Sequence, residues 1–315
     1  MNARIASLLP CATEIVSAIG HGSELVGVSH ECDFPVDVKG LPILTRARLH
    51  GVKSSREIDQ DVRALVEQAL AIYEIDVGAL EVARPDVVVT QDLCDVCAVS
   101  LDDVRSAVAR LARNDVRIVN LHPTRLDDVW DDVVRVAEAL GDRPAGERVA
   151  AELRSRTAAI AARASACEGR PSVLTVEWVE PVMVGGLWMP ELVHLAGGTP
   201  LVTSPGEHAP TLSRDALASL SPDVVVVKPC GFPLAQTVGE MASLRASLPW
   251  EAWSARKPVR VYLADGNAFF NRPGPRIVES LEILAACTHP EAFSDLARKH
   301  AASFVCADKE LLLRT

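Results

Sequence analysis

The residues best suited to chemistry are cysteines that follow apparent strands. Five of the eight cysteines in the 315-residue chain are of this kind: Cys11, Cys32, Cys94, Cys97 and Cys230. Thiolates brought together from several loops could bind Zn²⁺ tetrahedrally or hold an iron–sulfur cluster, which predicts metal ligation by all of them except Cys11. The side chains that could supplement them are His30, Glu31, His122 and Glu177. The alternative is that these cysteines are small side chains tolerated in tight turns.

The segment Cys94-Asp95-Val96-Cys97 has a second interpretation, because it lies between an apparent strand and a helix, as a thioredoxin-like redox pair does. Asp92 and Asp95 flank the two thiols, and their negative charge disfavours the thiolate that redox chemistry needs. A thiol oxidoreductase is therefore a further functional hypothesis beside a binding protein.

Aromatic residues are scarce, at 4 % of the chain, yet six of them lie in loops that follow apparent strands. These are Phe34, Trp178, Trp188, Phe232, Phe269 and Phe270. Aromatic faces gathered at one site suit a large planar or macrocyclic ligand, which they hold by dispersion and by burial of apolar area. The alternative is that some of these rings fill hydrophobic cores.

A repeated segment must position these loops. Residues 84–97 contain a Pro-Asp turn and the run Val87-Val88-Val89, an unalternating β-branched pattern typical of a strand buried on both faces. Residues 221–230 repeat the turn, the valine run and the terminal cysteine, and Asp76 aligns with Asp215 in the residues before each copy. The repeat predicts two similar lobes whose loops lie at the carboxyl edges of parallel sheets, where open α/β folds bind ligands.

One long helix is predicted between the lobes. Residues 145–166 are rich in alanine and arginine and follow the break at 141–144. The predicted division is an N-terminal α/β lobe over 1–142, a backbone helix over 143–168 and a C-terminal α/β lobe over 169–315. The predicted fold class is therefore α/β, with two Rossmann-like lobes, a single connecting helix and a ligand cleft between the lobes.

Composition and charge disfavour several kinds of partner. The formal net charge of −10 argues against nucleic acid, which would require a basic patch. There is no apolar run long enough for a membrane span, and the first residues do not form a signal peptide. These features predict a cytoplasmic protein, with a periplasmic or extracellular location only if the start site is mis-assigned. The common catalytic motifs are missing, which favours a protein that is not an enzyme.

Five stretches carry a family resemblance: RIASLLPCATEIVSAIG, LVGVSHECDFP, PDVVVTQDLCDVC, EPVMVGGLWMPELVHLAGG and NRPGPRIVESLEIL. Through them the chain resembles the vitamin B12 and siderophore type of ABC-transporter substrate-binding proteins, class III, and most of all its corrinoid-binding branch. The resemblance implies two α/β lobes, a rigid backbone helix at 145–166 and a ligand between lobes that close only slightly. It also implies a membrane permease as partner if the protein is exported.

We therefore predict a non-enzymatic protein that holds a small-molecule ligand, a cobalamin-like corrinoid or a related metal chelate, between its lobes, with thiolates available to the metal. The predicted ligand-binding residues are Cys11, His30, Glu31, Cys32, Phe34, Asp92, Trp178, Trp188, Phe232, Phe269, Phe270 and Asn271. The alternative is a cytoplasmic metal or iron–sulfur protein in which the cleft cysteines are the main ligands.

Overall fold

A computed structural model describes residues 3–48, 53–67, 72–93, 100–111 and 115–307 of the chain. The strands are β1 (Ile5–Ser7), β2 (Leu25–Val28), β3 (Thr45–Ala47), β4 (Tyr73–Ile75), β5 (Val87–Gln91), β6 (Arg117–Leu121), β7 (Ser172–Trp178), β8 (Met183–Val184), β9 (Thr199–Pro200), β10 (Val224–Val227), β11 (Arg260–Ala264) and β12 (Phe304–Ala307).

The α-helices are α1 (Pro10–Ala18), α2 (Ser55–Glu67), α3 (Val77–Ala83), α4 (Leu101–Ala109), α5 (Leu126–Ala139), α6 (Arg143–Ser165), α7 (Met189–Leu195), α8 (Arg214–Ser219), α9 (Leu234–Gly239), α10 (Met241–Ser247), α11 (Trp250–Ser254), α12 (Ile277–Thr288) and α13 (Ser294–Lys299). Among the described helices, none is both long enough and apolar enough to cross a membrane.

The N-terminal lobe is built on a parallel sheet with the strand order β2-β1-β5-β6. Val87, Val88 and Val89 of β5 are all buried, as predicted for a strand covered on both faces. Val87 and Val89 pack with residues of α1 and α5, whereas Val88 packs with residues of α3 and α4. The small antiparallel pair β3–β4 forms a separate sheet.

The C-terminal lobe is built on a six-stranded sheet with the order β12-β11-β10-β7-β8, and β9 pairs with β7. The central strands β7, β10 and β11 are parallel, whereas β8 and β12 run antiparallel to their neighbours. All four valines of β10 are buried. Because β5 lies between β1 and β6 as β10 lies between β7 and β11, the two valine runs occupy equivalent positions, and the predicted two-lobed α/β fold is confirmed.

The repeated Pro-Asp turn makes the same contact in each lobe. The Asp86 carboxylate accepts a hydrogen bond from the backbone N–H of Arg4 at 2.9 Å, and the Asp223 carboxylate accepts one from the backbone N–H of Ser172 at 2.7 Å. Each aspartate thereby ties the start of its valine strand to the start of the neighbouring parallel strand. The two copies of the turn therefore have the same structural role.

The helices that precede the two turns show that one part of the predicted sequence repeat is misaligned. Asp76 caps α3 by accepting a hydrogen bond from the backbone N–H of Ala79 at 2.9 Å. The residue that caps α8 is Ser213, whose hydroxyl accepts from the backbone N–H of Ala216 at 3.2 Å. The predicted match of Asp76 with Asp215 is therefore wrong, since Asp215 lies inside the first turn of its helix.

Helix α6 connects the lobes, as predicted. It begins at a cap in which the Asp142 carboxylate accepts a hydrogen bond from the backbone N–H of Ala145 at 3.2 Å. It crosses α5 closely, because a Cβ on Gly146 would lie 2.6 Å from the Cβ of Ala137. One hydrophobic cluster contains side chains from α6 and from both large sheets, so the lobes share a continuous core beside this helix. The exact lobe boundaries given above remain a prediction.

Candidate functional site

Loops from the carboxyl ends of the two large sheets meet between the lobes. The N-terminal lobe contributes the segments that follow β1, β2, β5 and β6, and the C-terminal lobe contributes those that follow β7, β10 and β11. Parallel strands present their carboxyl ends at one edge of a sheet, which is the usual place for a ligand in such folds. We call the space between these two sets of loops the cleft.

A buried ionic cluster joins the lobes at one side of the cleft. Glu14 of α1 accepts hydrogen bonds from Arg276, with Nη2 at 2.6 Å from Oε1 and Nε at 3.0 Å from Oε2. Arg272 lies 3.4 Å from Glu14 and donates to Asp33 at 2.5 Å. Burial alone would lower the pKa of Arg272, but hydrogen bonds and charge from Asp33 and Glu14 outweigh it and raise that pKa. Glu14, Asp33, Arg272 and Arg276 are called the ionic floor below.

An aromatic stack accompanies the ionic floor. The Arg276 guanidinium lies 4.2 Å from the ring centre of Phe34 and 5.6 Å from that of Phe269. Phe34 belongs to the N-terminal lobe and Phe269 to the C-terminal lobe, so this arginine bridges them by cation–π contacts as well as by charge. Phe34 keeps 42 % of its surface exposed and is available to a ligand.

The lobes also touch at two edges of the cleft. At the first, the buried hydroxyl of Ser55 donates to Glu240 at 2.6 Å, and Arg56 pairs with Glu180. At the second, Glu191 accepts hydrogen bonds from the backbone N–H of Leu126 at 2.8 Å and from the Arg125 guanidinium at 3.3 Å. These contacts hold the lobes together on either side of the cleft.

The C-terminal wall contains a fully buried lysine. The Lys228 ammonium donates to Glu177 at 3.1 Å and to Asn271 at 3.0 Å, so the charge is neutralised within the wall. Next to it, the ring of the half-buried Trp178 lies 5.4 Å from that of Phe232 in an edge-on arrangement. Asn271 and Trp178 were predicted from the sequence, whereas the role of Lys228 was missed. Its signal is an ionisable residue directly after a buried valine run.

The N-terminal wall holds two histidines in different settings. His122 makes a hydrogen bond through Nδ1 to Asp92 at 2.7 Å, and both residues lie at the ends of neighbouring strands. Burial would raise the pKa of Asp92, but its hydrogen bonds with Asn120 and His122 lower it overall. His30 is fixed through Nδ1 to Thr45 at 2.7 Å.

Glu31 lies beside His30, with Oε1 3.3 Å from Nε2, and the neighbouring imidazole of His30 is the main cause of its lowered pKa. The predicted residues Asp92, His30 and Glu31 therefore lie on one wall of the cleft, with Phe34 and the ionic floor beside them.

Three of the predicted aromatic contacts belong to the protein interior. Trp188, Phe232 and Phe270 are at most 5 % exposed. The Trp188 indole donates to the backbone carbonyl of Phe270 at 2.9 Å, which directs the ring into the core. Gly185 permits this turn, because a Cβ there would lie 2.3 Å from the Thr175 hydroxyl. The expectation that Trp188 and Phe270 form ligand walls is wrong in this structure, and Phe232 acts as support behind Trp178.

The thiols of Cys11 and Cys32 are placed as buried apolar side chains and not as metal ligands. Burial is the main cause that raises the pKa of Cys11 and brings that of Cys32 to about 11, so both thiols stay protonated at neutral pH. Cys230 is half-buried, and Cys94 and Cys97 lie outside the described residues. Within the described ranges, no group of three or more histidine, cysteine or acidic side chains is placed to bind a metal ion.

A second hollow lies where α5, α6 and α7 meet. This cavity has a volume of about 510 Å³. It is lined by Leu126, Asp127, Trp130, Arg154, Thr157, Ala158, Pro190, Glu191, His194, Leu195, Pro200 and Pro205. None of the predicted site residues that the structure describes is among these lining residues, so this cavity is distinct from the predicted site.

Comparison with known proteins gives one family match, to the family described as periplasmic binding protein, over residues 5–268. The vitamin B12-binding protein of Vibrio parahaemolyticus is 21 % identical over 294 residues, covering 92 % of this chain and 90 % of the relative. The uncharacterized ABC transporter substrate-binding lipoprotein YvrC of Bacillus subtilis is 21 % identical over 299 residues, covering 93 % and 82 %. The periplasmic heme-binding protein RhuT of Roseiflexus has the same fold, with a TM-score of 0.64, 22 % identity and coverage of 94 % and 100 %.

These comparisons overturn one prediction. The cytoplasmic location was inferred from the first residues of the chain, but the matched family is periplasmic and one relative is a lipoprotein. The prediction of a cytoplasmic protein is therefore wrong.

Proposed function

The chain belongs to the periplasmic binding protein family, and we propose that it binds a corrinoid or a related metal chelate in the cleft and delivers it to a membrane permease. Its task is then to hold and release a ligand without chemical change, so it acts as a binding protein and not as an enzyme. Relatives and fold neighbours are named for vitamin B12 or for haem, so the choice between these ligands rests on the cleft itself.

The observation that carries the corrinoid assignment is the pairing of the cleft cations. Arg56, Lys228, Arg272 and Arg276 each lie against a carboxylate of the protein. Haem carries propionate carboxylates, which would need unpaired cations to replace their lost hydration. The side chains of a corrinoid are mainly neutral carboxamides, and its ring bears positive charge on cobalt(III). The cleft therefore suits a corrinoid better than haem.

Carboxylates that no arginine or lysine of the described residues neutralises support the same assignment. Glu31 and Asp92 lie beside histidines and are partly exposed at the cleft. Carboxylates accept hydrogen bonds from amide N–H groups and attract a positive ring, but repel propionates. Trp178 and Phe34 supply apolar faces for the macrocycle, one from each lobe. The comparisons support neither of the two alternatives that were based on the cysteines. These alternatives are a metal or iron–sulfur protein and a thiol oxidoreductase.

The test is isothermal titration of the purified protein with hydroxocobalamin, diaquacobinamide and hemin. We expect a corrinoid to bind at least about tenfold more tightly than hemin, a difference of about 1.4 kcal/mol. Trp178→Ala should weaken corrinoid binding by about tenfold through lost aromatic contact area. Phe304→Ala is the matched control, since this half-buried aromatic lies on the far edge strand of the same lobe, against Tyr262.

Tighter binding of hemin than of both corrinoids would transfer the assignment to haem, which the heme-binding fold neighbour makes the second candidate. Equal weakening by Trp178→Ala and Phe304→Ala would contradict a ligand site in the cleft.

A further inference from the structure

Asp92 and His122 form a histidine–carboxylate pair at the carboxyl edge of the N-terminal sheet. Gln91 and Leu121 are register partners at the ends of β5 and β6, so the residues that follow them emerge side by side. The Nδ1 atom of His122 lies 2.7 Å from Asp92 Oδ1. Asp92 thus orients the imidazole.

This arrangement favours one tautomer of the neutral ring. A carboxylate that accepts the Nδ1–H proton leaves the lone pair on Nε2, which makes that nitrogen a good metal ligand. His122 keeps 54 % of its side chain exposed, so Nε2 can be reached from the solvent-filled side of the wall.

Other described histidines are engaged differently. His21 contacts carboxylates with both ring nitrogens, and His300 is buried against Glu282. The Nε2 atom of His30 is buried beside Glu31. Of these rings, His122 is the one that combines a carboxylate on Nδ1 with an accessible Nε2.

The location agrees with a role toward the ligand. Arg125, three positions along the chain from His122, reaches the opposite lobe, where it bonds Glu191 at 3.3 Å and lies 3.6 Å from the position of a Cβ on Gly206. His122 therefore belongs to the part of the N-terminal wall that adjoins the C-terminal lobe.

We propose that Nε2 of His122 coordinates the cobalt of the bound corrinoid, so that the cleft selects corrinoids with an open axial position. This inference rests on the proposed function. The step is a ligand exchange without redox change: the Nε2 lone pair forms a bond to cobalt, the cobalt–water bond breaks, and water leaves. Asp92 keeps the Nδ1 proton in its hydrogen bond and stabilises the positive charge that the imidazole gains.

Selectivity follows from the same bond. Diaquacobinamide lacks the nucleotide base and carries exchangeable water on both axial faces, whereas base-on hydroxocobalamin has an exchangeable ligand only on the face opposite its base. Coordination by His122 therefore favours cobinamide, which can present either face to Nε2, and on the base side it requires cobalamin to release its base first. A protein without this bond would hold both corrinoids through the ring alone.

The experiment uses the full chain with diaquacobinamide and, after reduction, with cobalt(II) cobinamide. In the wild type we expect a shift of the visible bands on binding and nitrogen superhyperfine splitting of the cobalt(II) EPR lines from one imidazole. His122→Ala should abolish both signatures and weaken binding by about tenfold or more. Asp92→Asn should keep the splitting but weaken binding, because the ring loses its orienting charge. His194→Ala, which lies at the cavity lined by α5, α6 and α7, is the matched control and should keep both signatures.

The outcomes separate the two proposals. If the wild type binds cobinamide without nitrogen splitting, or if His122→Ala keeps it, the axial bond is refuted while the proposed function stands. If no corrinoid binds to the wild type, both fail. The wild-type spectrum alone can refute the inference, so the result does not depend on whether a variant folds.

Discussion

Removing the charge of Glu14 is the perturbation that tests the ionic floor. The Glu14 side chain is 1 % exposed, and its two oxygens accept from Arg276 at 2.6 and 3.0 Å. Glu14→Gln keeps the shape and one acceptor but leaves buried guanidinium charge without its partner. Arg272 is partly protected, because Asp33 still bonds it at 2.5 Å.

The expected cost follows from this imbalance. Removing one partner of a buried ion pair costs about 3 to 5 kcal/mol, because the remaining charge stays desolvated. Since Arg276 is 15 % exposed and Arg272 keeps Asp33, we expect the low end, about 3 kcal/mol. Both arginines belong to the other lobe, so the loss should also loosen the contact between lobes.

The assay is urea denaturation followed by tryptophan fluorescence, with the free energy of unfolding extrapolated to water. The control is Glu138→Gln, which removes an exposed pair with Arg143 and should leave that free energy unchanged within error. A loss below about 1 kcal/mol for Glu14→Gln would refute the reasoning, since it would mean that the buried guanidinium groups need no carboxylate.

Three further predictions concern pH and packing. Burial raises the pKa of Asp132 to about 7, so the contribution of this residue to stability falls as pH rises from about 4 to 7. The free energy of unfolding of Asp132→Asn, relative to wild type, should therefore be about 2 to 3 kcal/mol more favourable to the folded state at pH 8 than at pH 5. An equal difference from wild type at both pH values would contradict this. Glu282 has its pKa lowered to about 2, so Glu282→Gln should destabilise by about 2 to 3 kcal/mol at pH 7 and by clearly less at pH 3 in urea titrations. A Cβ on Gly266 would lie 2.0 Å from the Pro229 carbonyl oxygen, so Gly266→Ala should lower the melting temperature by several degrees. Gly239→Ala, which meets nothing within 4 Å, is its control, and equal melting temperatures would contradict the clash.

The fold could be predicted because the residue composition of its strands indicates that they are buried. The valine runs of β5 and β10 have no polar alternation, and only a strand covered on both faces allows that. The connecting helix was predictable from its length and its capping residues at 142–144. The alignment error at Asp215 arose because serine and aspartate are interchangeable as helix caps, so chemistry did not mark the equivalent position.

The aromatic residues show where local sequence fails. Trp178 is the last residue of β7 and Trp188 follows β8, yet Trp178 is half-buried at the cleft and Trp188 lies in the core. The direction of Trp188 depends on its indole hydrogen bond to the backbone of Phe270, far away in sequence. Spacing after a strand predicts that a ring lies at the sheet edge, but tertiary contacts decide which way it points.

The ionic floor was missed for a related reason. Glu14 lies in an otherwise apolar helix, and Arg272 and Arg276 lie near the start of α12 at the other end of the chain. Their pairing needs both lobes, so no local pattern reveals it. Ligand contacts were predicted for Cys11 and Cys32, but Cys11 packs as a small buried side chain in α1 and Cys32 does so in the loop after β2.

The most direct test of the corrinoid cleft is a crystal structure of the protein grown with cobinamide, with anomalous data collected at the cobalt absorption edge. We predict one strong cobalt peak between the carboxyl edges of the two sheets, bounded by Trp178 and Phe34 and within bonding distance of His122 Nε2. A peak in the cavity between α5, α6 and α7, or on the outer surface, would contradict a ligand site at the carboxyl edges of the two sheets.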